Sequence, residues 1–220
     1  IEDGQRPLLA ALEGSSEIGF AVIATTLVLV AVFVPLSYIE GDVGRLFREF
    51  GITLAAAVLF DAYGTWSLSE LFSRIAETPR VVTFGGFAAV EVAGVLIAFA
   101  AFARSAQFLL HNWLPYSMSG PTPVSALMHA GIVNAGGFLI NRFAPIFVHT
   151  EHVLLVAFAI GLITTIMGSL MMLMQSDIKK ALGYSTMGQM GYMVMECGLG
   201  AFSLAIYHLI AHGVFKATLF

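Results

Sequence analysis

The chain has 220 residues, of which 58% are hydrophobic and 11% are charged, and its formal net charge is −4 at pH 7. Soluble domains carry about a quarter charged residues, so this composition excludes a water-soluble globular fold and predicts an integral membrane protein. The 10 basic residues form no cluster, which argues against a nucleic-acid partner. The single Cys197 excludes an intrachain disulfide and a cysteine-built metal site.

Apolar runs predict six or seven membrane helices, because about 20 apolar residues cross a bilayer and broken or tilted helices need fewer. In chain order the runs are 17–39, 50–63 (or from near Val43), 81–110, 123–140, 153–175, 181–197 and 200–220. The chain begins at Ile1 and ends at Phe220, inside the last run. We therefore expect it to be a fragment of a larger membrane protein.

The connectors between these runs carry most of the polar residues. Residues 40–49 and 67–80 are predicted to be surface loops or interfacial amphipathic turns. The connector HNWLPYSMSGPTP, residues 111–123, holds three prolines and a glycine, which predict an interrupted helix. Interrupted membrane helices free backbone groups that can line an ion or substrate site. The predicted fold class is all-α, a polytopic transmembrane helical bundle with an interrupted helix.

Titratable groups inside a membrane are costly, so those in the apolar runs and their short connectors are candidates for function. They are Glu91, Arg104, His129, Asp177, Lys179, Lys180, Glu196, His208, His212 and Lys216. The last three stand at steps of four in YHLIAHGVFK, which places them on one stripe of a helix. Such a row can pass protons, because histidine titrates near neutral pH. The alternative is that each polar tip only satisfies a contact with a neighbouring helix.

Other readings of these residues stay open. The HxxxH spacing of the stripe also suits a metal ion, but no third ligand follows, so we expect neither metal nor cofactor. Arg104 is permanently charged and suits an anion or a carboxylate, or else it snorkels to the helix end. Asp177 and Lys179 also fit a short charged surface loop. His129, about two turns inside the helix started by PTPVSALMHAG, also fits a satisfied core histidine.

Three stretches resemble one known family in their order and spacing. RSAQFLLHNWLPYSMSGPTPVSALMHAG, QSDIKKALGYSTMGQMGYM and YHLIAHGVFKATLF resemble the antiporter-like subunits of respiratory complex I and of Mrp-type cation/proton antiporters. Two more, HAGIVNAGGFLINRFAPIF and MGYMVMECGLG, resemble the membrane subunit of the DAB inorganic-carbon accumulation complex. The resemblance implies a proton-conducting transmembrane domain at 50–220, incomplete at its C-terminus. It follows a poorly matched segment, 1–49, with one membrane helix.

The resemblance assigns a proton or ion pathway to the residues that match the family motifs. These are His129, Lys179, His208, His212 and Lys216. Arg104 stands where complex I subunits have the lysine of KSAQ, and since it cannot cycle a proton it is expected to act as a fixed charge. The family pairs that lysine with a glutamate on an earlier helix, for which Glu17 is the candidate here. Asp177 and Glu91 are weaker candidates.

The function implied by the resemblance is transport rather than covalent chemistry. The chain would conduct a cation, with the proton preferred to Na⁺, across the inner cell membrane. It would couple the gradient to CO2/bicarbonate accumulation with a large zinc-containing, carbonic-anhydrase-like partner, which would carry out any CO2 hydration. The alternative is a proton-pumping subunit of complex I or an Mrp-type Na⁺/H⁺ antiporter, with those subunits as partners. A third possibility is a structural anchor in the lipid bilayer.

Overall fold

The computed structural model describes residues 43–82, 87–111, 113–116 and 121–219, and this part of the chain is built from α-helices. In chain order they are α1 (Val43–Tyr63), α2 (Leu68–Glu77), α3 (Ala89–Arg104), α4 (Trp113–Tyr116), α5 (Thr122–Ala130), α6 (Ala135–Arg142), α7 (Ala144–Phe147), α8 (Glu151–Leu173), α9 (Ile178–Gly198) and α10 (Phe202–Leu219). One turn of 3-10 helix, Ile132–Asn134, joins α5 to α6. The all-α prediction is confirmed. The predicted helix at 17–39 lies outside the described residues.

Three helical segments in the described ranges are long and apolar enough to cross a membrane. They are Thr122–Arg142, Glu151–Leu173 and Phe202–Leu219, and they correspond to the predicted runs 123–140, 153–175 and 200–220. The helices α3 and α9 are not among them, because α3 has only 16 residues and α9 is less apolar. The lower apolarity of α9 reflects its place inside the bundle, where it packs against α8, α10, α6 and α4.

One predicted helix start is confirmed and one predicted run is too long. The helix at 50–63 begins at Val43, the earlier of its two predicted starts, so residues 43–49 belong to α1 and not to a surface loop; the Arg, Leu and Glu residues of this stretch are good helix formers. The helix α3 is much shorter than the predicted run 81–110. It begins after an antiparallel bridge between Val82 and Ala88. Beyond its end the chain turns away, because Ala106 and Leu109 have positive φ angles of 49° and 73°.

The connector 67–80 contains a short amphipathic helix, α2, and not only a loop. The helix α2 buries Leu71 and Ile75 and turns a polar face outward. Near its start Glu70 accepts a hydrogen bond from the Thr65 hydroxyl at 2.7 Å and pairs with Arg74 at 2.5 Å. These two partners, with Thr65 the stronger, hold the pKa of Glu70 below its usual value.

The helices α8 and α9 touch backbone to backbone. A Cβ added to Gly191 would lie 2.6 Å from the amide nitrogen of Thr165, and one added to Gly161 would lie 2.5 Å from that of Met195. Gly168 and Gly198 make equally close approaches. Small residues let membrane helices approach this closely, where dispersion contacts and not water exclusion hold them together. This backbone contact fixes the position of α9 against α8, and α9 carries part of the candidate site.

The chain is interrupted once before the membrane segment Thr122–Arg142 and once within it. The predicted break at 111–123 is confirmed, since α4 is only four residues long and α5 starts after Pro121. A second break at 131–134 was not predicted. There the Ala130 carbonyl accepts from the Asn134 side chain at 2.7 Å, and the Val133 carbonyl accepts from the Ser105 hydroxyl at 2.7 Å. Side chains thus satisfy carbonyls that a regular helix would pair internally.

Candidate ion pathway

The predicted stripe exists on α10 and faces the interior of the bundle. The ring centroids of His208 and His212 are 6.4 Å apart. Burial increases along the stripe: the His208 side chain is 18% exposed, while His212 and Lys216 are 3% and 0% exposed. Neighbouring faces of the same helix carry large apolar side chains, including Tyr207, Ile210 and Val214, all exposed. The polar groups therefore lie on the protein-facing side, as expected for costly groups in a membrane.

His208 lies between two side chains of α9. Its Nδ1 is 3.1 and 3.2 Å from the two carboxylate oxygens of Glu196, and its Nε2 is 2.7 Å from the amide oxygen of Gln189. The two partners are seven residues apart, which is about two helical turns and places them on one face of α9. The ring is thus held at both nitrogens.

His212 is tied to the second helix interruption. Its Nδ1 is 3.1 Å from the Asn134 side-chain oxygen. The Asn134 amide group already donates to the Ala130 carbonyl, so its oxygen must accept and Nδ1 of His212 must carry a hydrogen. The other ring nitrogen, Nε2, is buried without a hydrogen-bond partner in the described part of the chain. The geometry therefore leaves one nitrogen of a buried imidazole available for a proton or a water molecule.

Of the three residues of the stripe, Lys216 is the most deeply buried. Its Nζ donates to the Leu182 carbonyl of α9 at 3.2 Å. Within the described ranges no carboxylate lies in ion-pair distance of it. The contact recorded for this buried ammonium group is thus with a neutral backbone carbonyl, whereas buried charges are usually paired with an opposite charge.

Two further predicted residues lie near this end of the stripe. His129 on α5 is fully buried and is within electrostatic reach of both Lys216 and Lys179. It is also within reach of His212. Lys179 is half-buried in the first turn of α9, so the surface-loop alternative for this stretch is wrong from Ile178 onward. The structure therefore brings together His129, Lys179, His208, His212 and Lys216.

The remaining predicted residues are placed elsewhere. Asp177 is exposed, and its carboxylate accepts from the backbone nitrogens of Lys179 and Lys180, which makes it the N-cap of α9. Arg104 is half-buried at the C-terminal end of α3. Glu91 is exposed at the other end of that helix, about 20 Å away along its axis. Glu17 lies outside the described residues and stays a prediction.

Several residues of the arrangement had no predicted role. Glu196 was a candidate without a predicted partner, and no role was predicted for Gln189, Asn134 or Ser105. The seven-residue spacing of Gln189 and Glu196 is a usable signal, because it puts two polar groups on one face of an otherwise apolar helix. Nothing in the sequence shows which helix this face meets.

Comparison with known proteins identifies the family. The model described as "NADH:quinone oxidoreductase/Mrp antiporter, TM" matches residues 43–220. The chain belongs to this antiporter family. A second model, the AcrB/AcrD/AcrF family, matches residues 1–67. The match to the antiporter family begins at residue 43, so it gives no support to Glu17 as the paired glutamate of that family.

Individual relatives agree with the family assignment. The chain is 64% identical over 172 residues to the probable inorganic carbon transporter subunit DabB1 of Halothiobacillus neapolitanus, covering 78% of this chain and 31% of the relative. It is 41% identical over 166 residues to the probable inorganic carbon transporter subunit DabB of Hydrogenovibrio crunogenus, covering 76% and 31%. It is 40% identical over 176 residues to the chloroplastic NAD(P)H-quinone oxidoreductase subunit 5 of Cichorium intybus, covering 78% and 23%. The chain spans less than a third of these relatives.

A solved structure supports the fold. A chain of the membrane-bound sulfane sulfur reductase, an archaeal respiratory membrane complex, matches with a TM-score of 0.65 and 23% identity, over 85% of this chain and 38% of that chain. The helical membrane-protein fold predicted from the sequence is thereby confirmed.

Proposed function

We propose that this chain is the ion-conducting part of a membrane subunit that uses a cation gradient to drive inorganic-carbon accumulation. The proton is the preferred ion, residues 50–220 form the conducting domain, and the inner cell membrane is its location. The partner is a large zinc-containing, carbonic-anhydrase-like protein that performs any CO2 hydration. The chain itself moves charge and catalyses no covalent step.

The observation that carries the proposal is the buried row His129–Lys216–His212–His208. Its members come from two helices and lie next to a helix interruption, where backbone carbonyls are turned toward side chains. Neighbouring imidazole and ammonium groups can each bind and release a proton, so such a row can hand on protons through intervening water. A purely structural set of polar side chains would have every nitrogen satisfied, and the Nε2 of His212, which has no hydrogen-bond partner among the described residues, does not fit that expectation.

Charge coupling is the mechanism that these residues suggest. A proton on one buried group disfavours protonation of its neighbours, because like charges interact strongly in a medium of low dielectric constant. Lys179, at the end of the row, and Arg104, a permanent cation on α3, would bias this equilibrium. Ion entry at one end is thereby linked to a change at the other, and from there to the partner protein.

The inorganic-carbon role is preferred because two relatives of that name match with 64% and 41% identity. The respiratory alternative, a proton-pumping subunit of a quinone oxidoreductase or an Mrp-type antiporter, is favoured by the 40% identity to the chloroplastic subunit. The two differ in the partner: one large zinc protein in the first case, many respiratory or antiporter subunits in the second.

The test is labelled inorganic-carbon uptake by bacteria that lack carbonic anhydrase and express the full-length subunit with the protein encoded beside it. Wild type is compared with His212→Asn, with and without an uncoupler. The matched control is His152→Asn, which changes an exposed histidine at the start of α8. We expect uptake to vanish with the uncoupler, to fall at least about tenfold in His212→Asn and to persist in His152→Asn.

Co-purification of the variant subunit with its partner distinguishes a loss of conduction from a loss of assembly. If His212→Asn still assembles with a zinc-containing partner, its loss of uptake supports conduction through the row. Loss of assembly in this variant would instead support the structural-anchor alternative. Absence of uptake by the wild-type pair would refute the inorganic-carbon role and leave the respiratory or antiporter function.

A further inference from the structure

The contact between His208 and α9 determines more than the position of the ring. A carboxylate can only accept hydrogen bonds, and so can an amide oxygen. With Glu196 at Nδ1 and the Gln189 oxygen at Nε2, this orientation of the amide fits a ring that donates from both nitrogens, which is the hydrogen-bond pattern of an imidazolium. The counter-charge is the Glu196 carboxylate, whose side chain is 15% exposed.

The neutral ring fits the same pocket after one rotation. The Gln189 amide can turn over and present its NH2 group, which then donates to an unprotonated Nε2. Glu196 keeps accepting from Nδ1–H throughout. The proton therefore enters and leaves at Nε2 only, and the carboxylate fixes the tautomer.

No other member of the stripe has this arrangement in the described part of the chain. His212 contacts a neutral amide and Lys216 a neutral carbonyl. His208 is also the most exposed of the three. In the described part of the chain the titratable groups next to His208 are Glu196 and Tyr192 on α9 and His212 on its own helix, and His212 in turn interacts with Lys216 on α10 and His129 on α5.

We propose that Glu196 and His208 form the proton-loading site at the accessible end of the stripe. Glu196 acts as the positioning residue, which holds His208 in one tautomer and stabilises its protonated form. The inference rests on the proposed function, and it names the point at which the proton enters or leaves the row. Loading adds one proton to Nε2 of neutral His208, and the resulting positive charge is balanced by the carboxylate already in contact.

The first test measures the pH profile of inorganic-carbon uptake by the full-length complex between about pH 6 and pH 9. Glu196→Gln keeps the shape of the side chain but removes the counter-charge, so the alkaline limb of the profile should move by about one pH unit or more toward acid. Glu196→Asp, which keeps a carboxylate, should return the limb toward its wild-type position. The matched control Glu151→Gln, at an exposed carboxylate, should leave it in place. An unmoved limb in Glu196→Gln overturns the proposal, whether or not uptake is reduced.

The second test does not depend on uptake. The ¹⁵N signals of the His208 ring are followed through a pH titration of the reconstituted wild-type protein. Nδ1 should keep its hydrogen on both sides of the transition, while Nε2 loses its own. Loss of the Nδ1 hydrogen first would overturn the assignment of Glu196. If the wild-type complex gives the expected spectra but shows no gradient-driven uptake, the proposed function is refuted, while the assignment of Glu196 and His208 stands.

Discussion

A methyl group added at Gly191 should separate two helices that now touch. The Cβ of Gly191→Ala would lie 2.6 Å from both the amide nitrogen and the hydroxyl oxygen of Thr165, and 2.8 Å from the Gly161 carbonyl oxygen. Ordinary van der Waals contact begins at 3.4 Å, so α8 and α9 must move apart by about 0.8 Å. Two of these three atoms are backbone atoms of α8, so rotating a side chain cannot relieve the clash.

The neighbouring glycine provides a matched control. In Gly188→Ala the nearest atom is the Ser169 hydroxyl at 3.4 Å, which is ordinary contact. Alanine is favoured over glycine inside a helix by roughly 0.5–1 kcal/mol, and this gain applies to both variants. Overpacking costs about 1–3 kcal/mol and applies only to Gly191→Ala. The two variants should therefore differ by about 1–3 kcal/mol, with Gly188→Ala the more stable.

The assay heats the detergent-solubilised full-length protein and measures the fraction that stays monodisperse on size-exclusion chromatography. A difference of this size corresponds to several degrees in the midpoint, at about 2–4 °C per kcal/mol for a domain of this length. We expect Gly191→Ala to have the lower midpoint and Gly188→Ala to match or exceed wild type. Equal midpoints for the two variants would refute the backbone contact between α8 and α9.

Three further outcomes follow from contacts away from the stripe. Ser105→Ala strands the buried Val133 carbonyl and should lower stability by about 1–3 kcal/mol, which chemical denaturation can measure. Asp177→Ala should cost about 0.5–2 kcal/mol as a lost helix cap, whereas Asp177→Asn should retain both stability and uptake; loss of uptake in the latter would contradict a capping role. At pH values above the usual glutamate pKa, the ionised Glu70 side chain stabilises α2. This stabilisation is lost as the pH falls through the lowered pKa of Glu70. Amides of α2 should therefore exchange faster in Glu70→Gln than in wild type at pH 7, and the difference should shrink at acid pH.

Periodicity and composition predicted the parts of this molecule that depend on one helix at a time. The stripe of His208, His212 and Lys216 follows from steps of four, and the break before α5 follows from the prolines of residues 111–123. Both are local properties of the chain. The relay residues near Lys216 needed the family resemblance as well, since no spacing relates His129 to α10.

What could not be predicted depends on which helix faces which. The pairing of His208 with Glu196 joins residues 12 positions apart, across the turn between α9 and α10. The interruption at 131–134 is stabilised by Ser105, which directly follows the end of α3, and the sequence GIVN alone is compatible with a continuous helix. For Asp177 the sequence suggested more than the structure shows. Its charge in a membrane protein suggested a function, but its carboxylate caps the first turn of α9.

The link from His212 through Asn134 to the Ala130 carbonyl has a mechanical consequence. The hydrogen on Nδ1 that maintains this link is present in the neutral ring, and it is still there when Nε2 takes up a second one. The bent backbone at this position can therefore keep its shape while the ring charges and discharges. If protons pass along the row as proposed, protonation of His212 leaves the backbone at this position in place, and a movement coupled to it would begin at another member of the row.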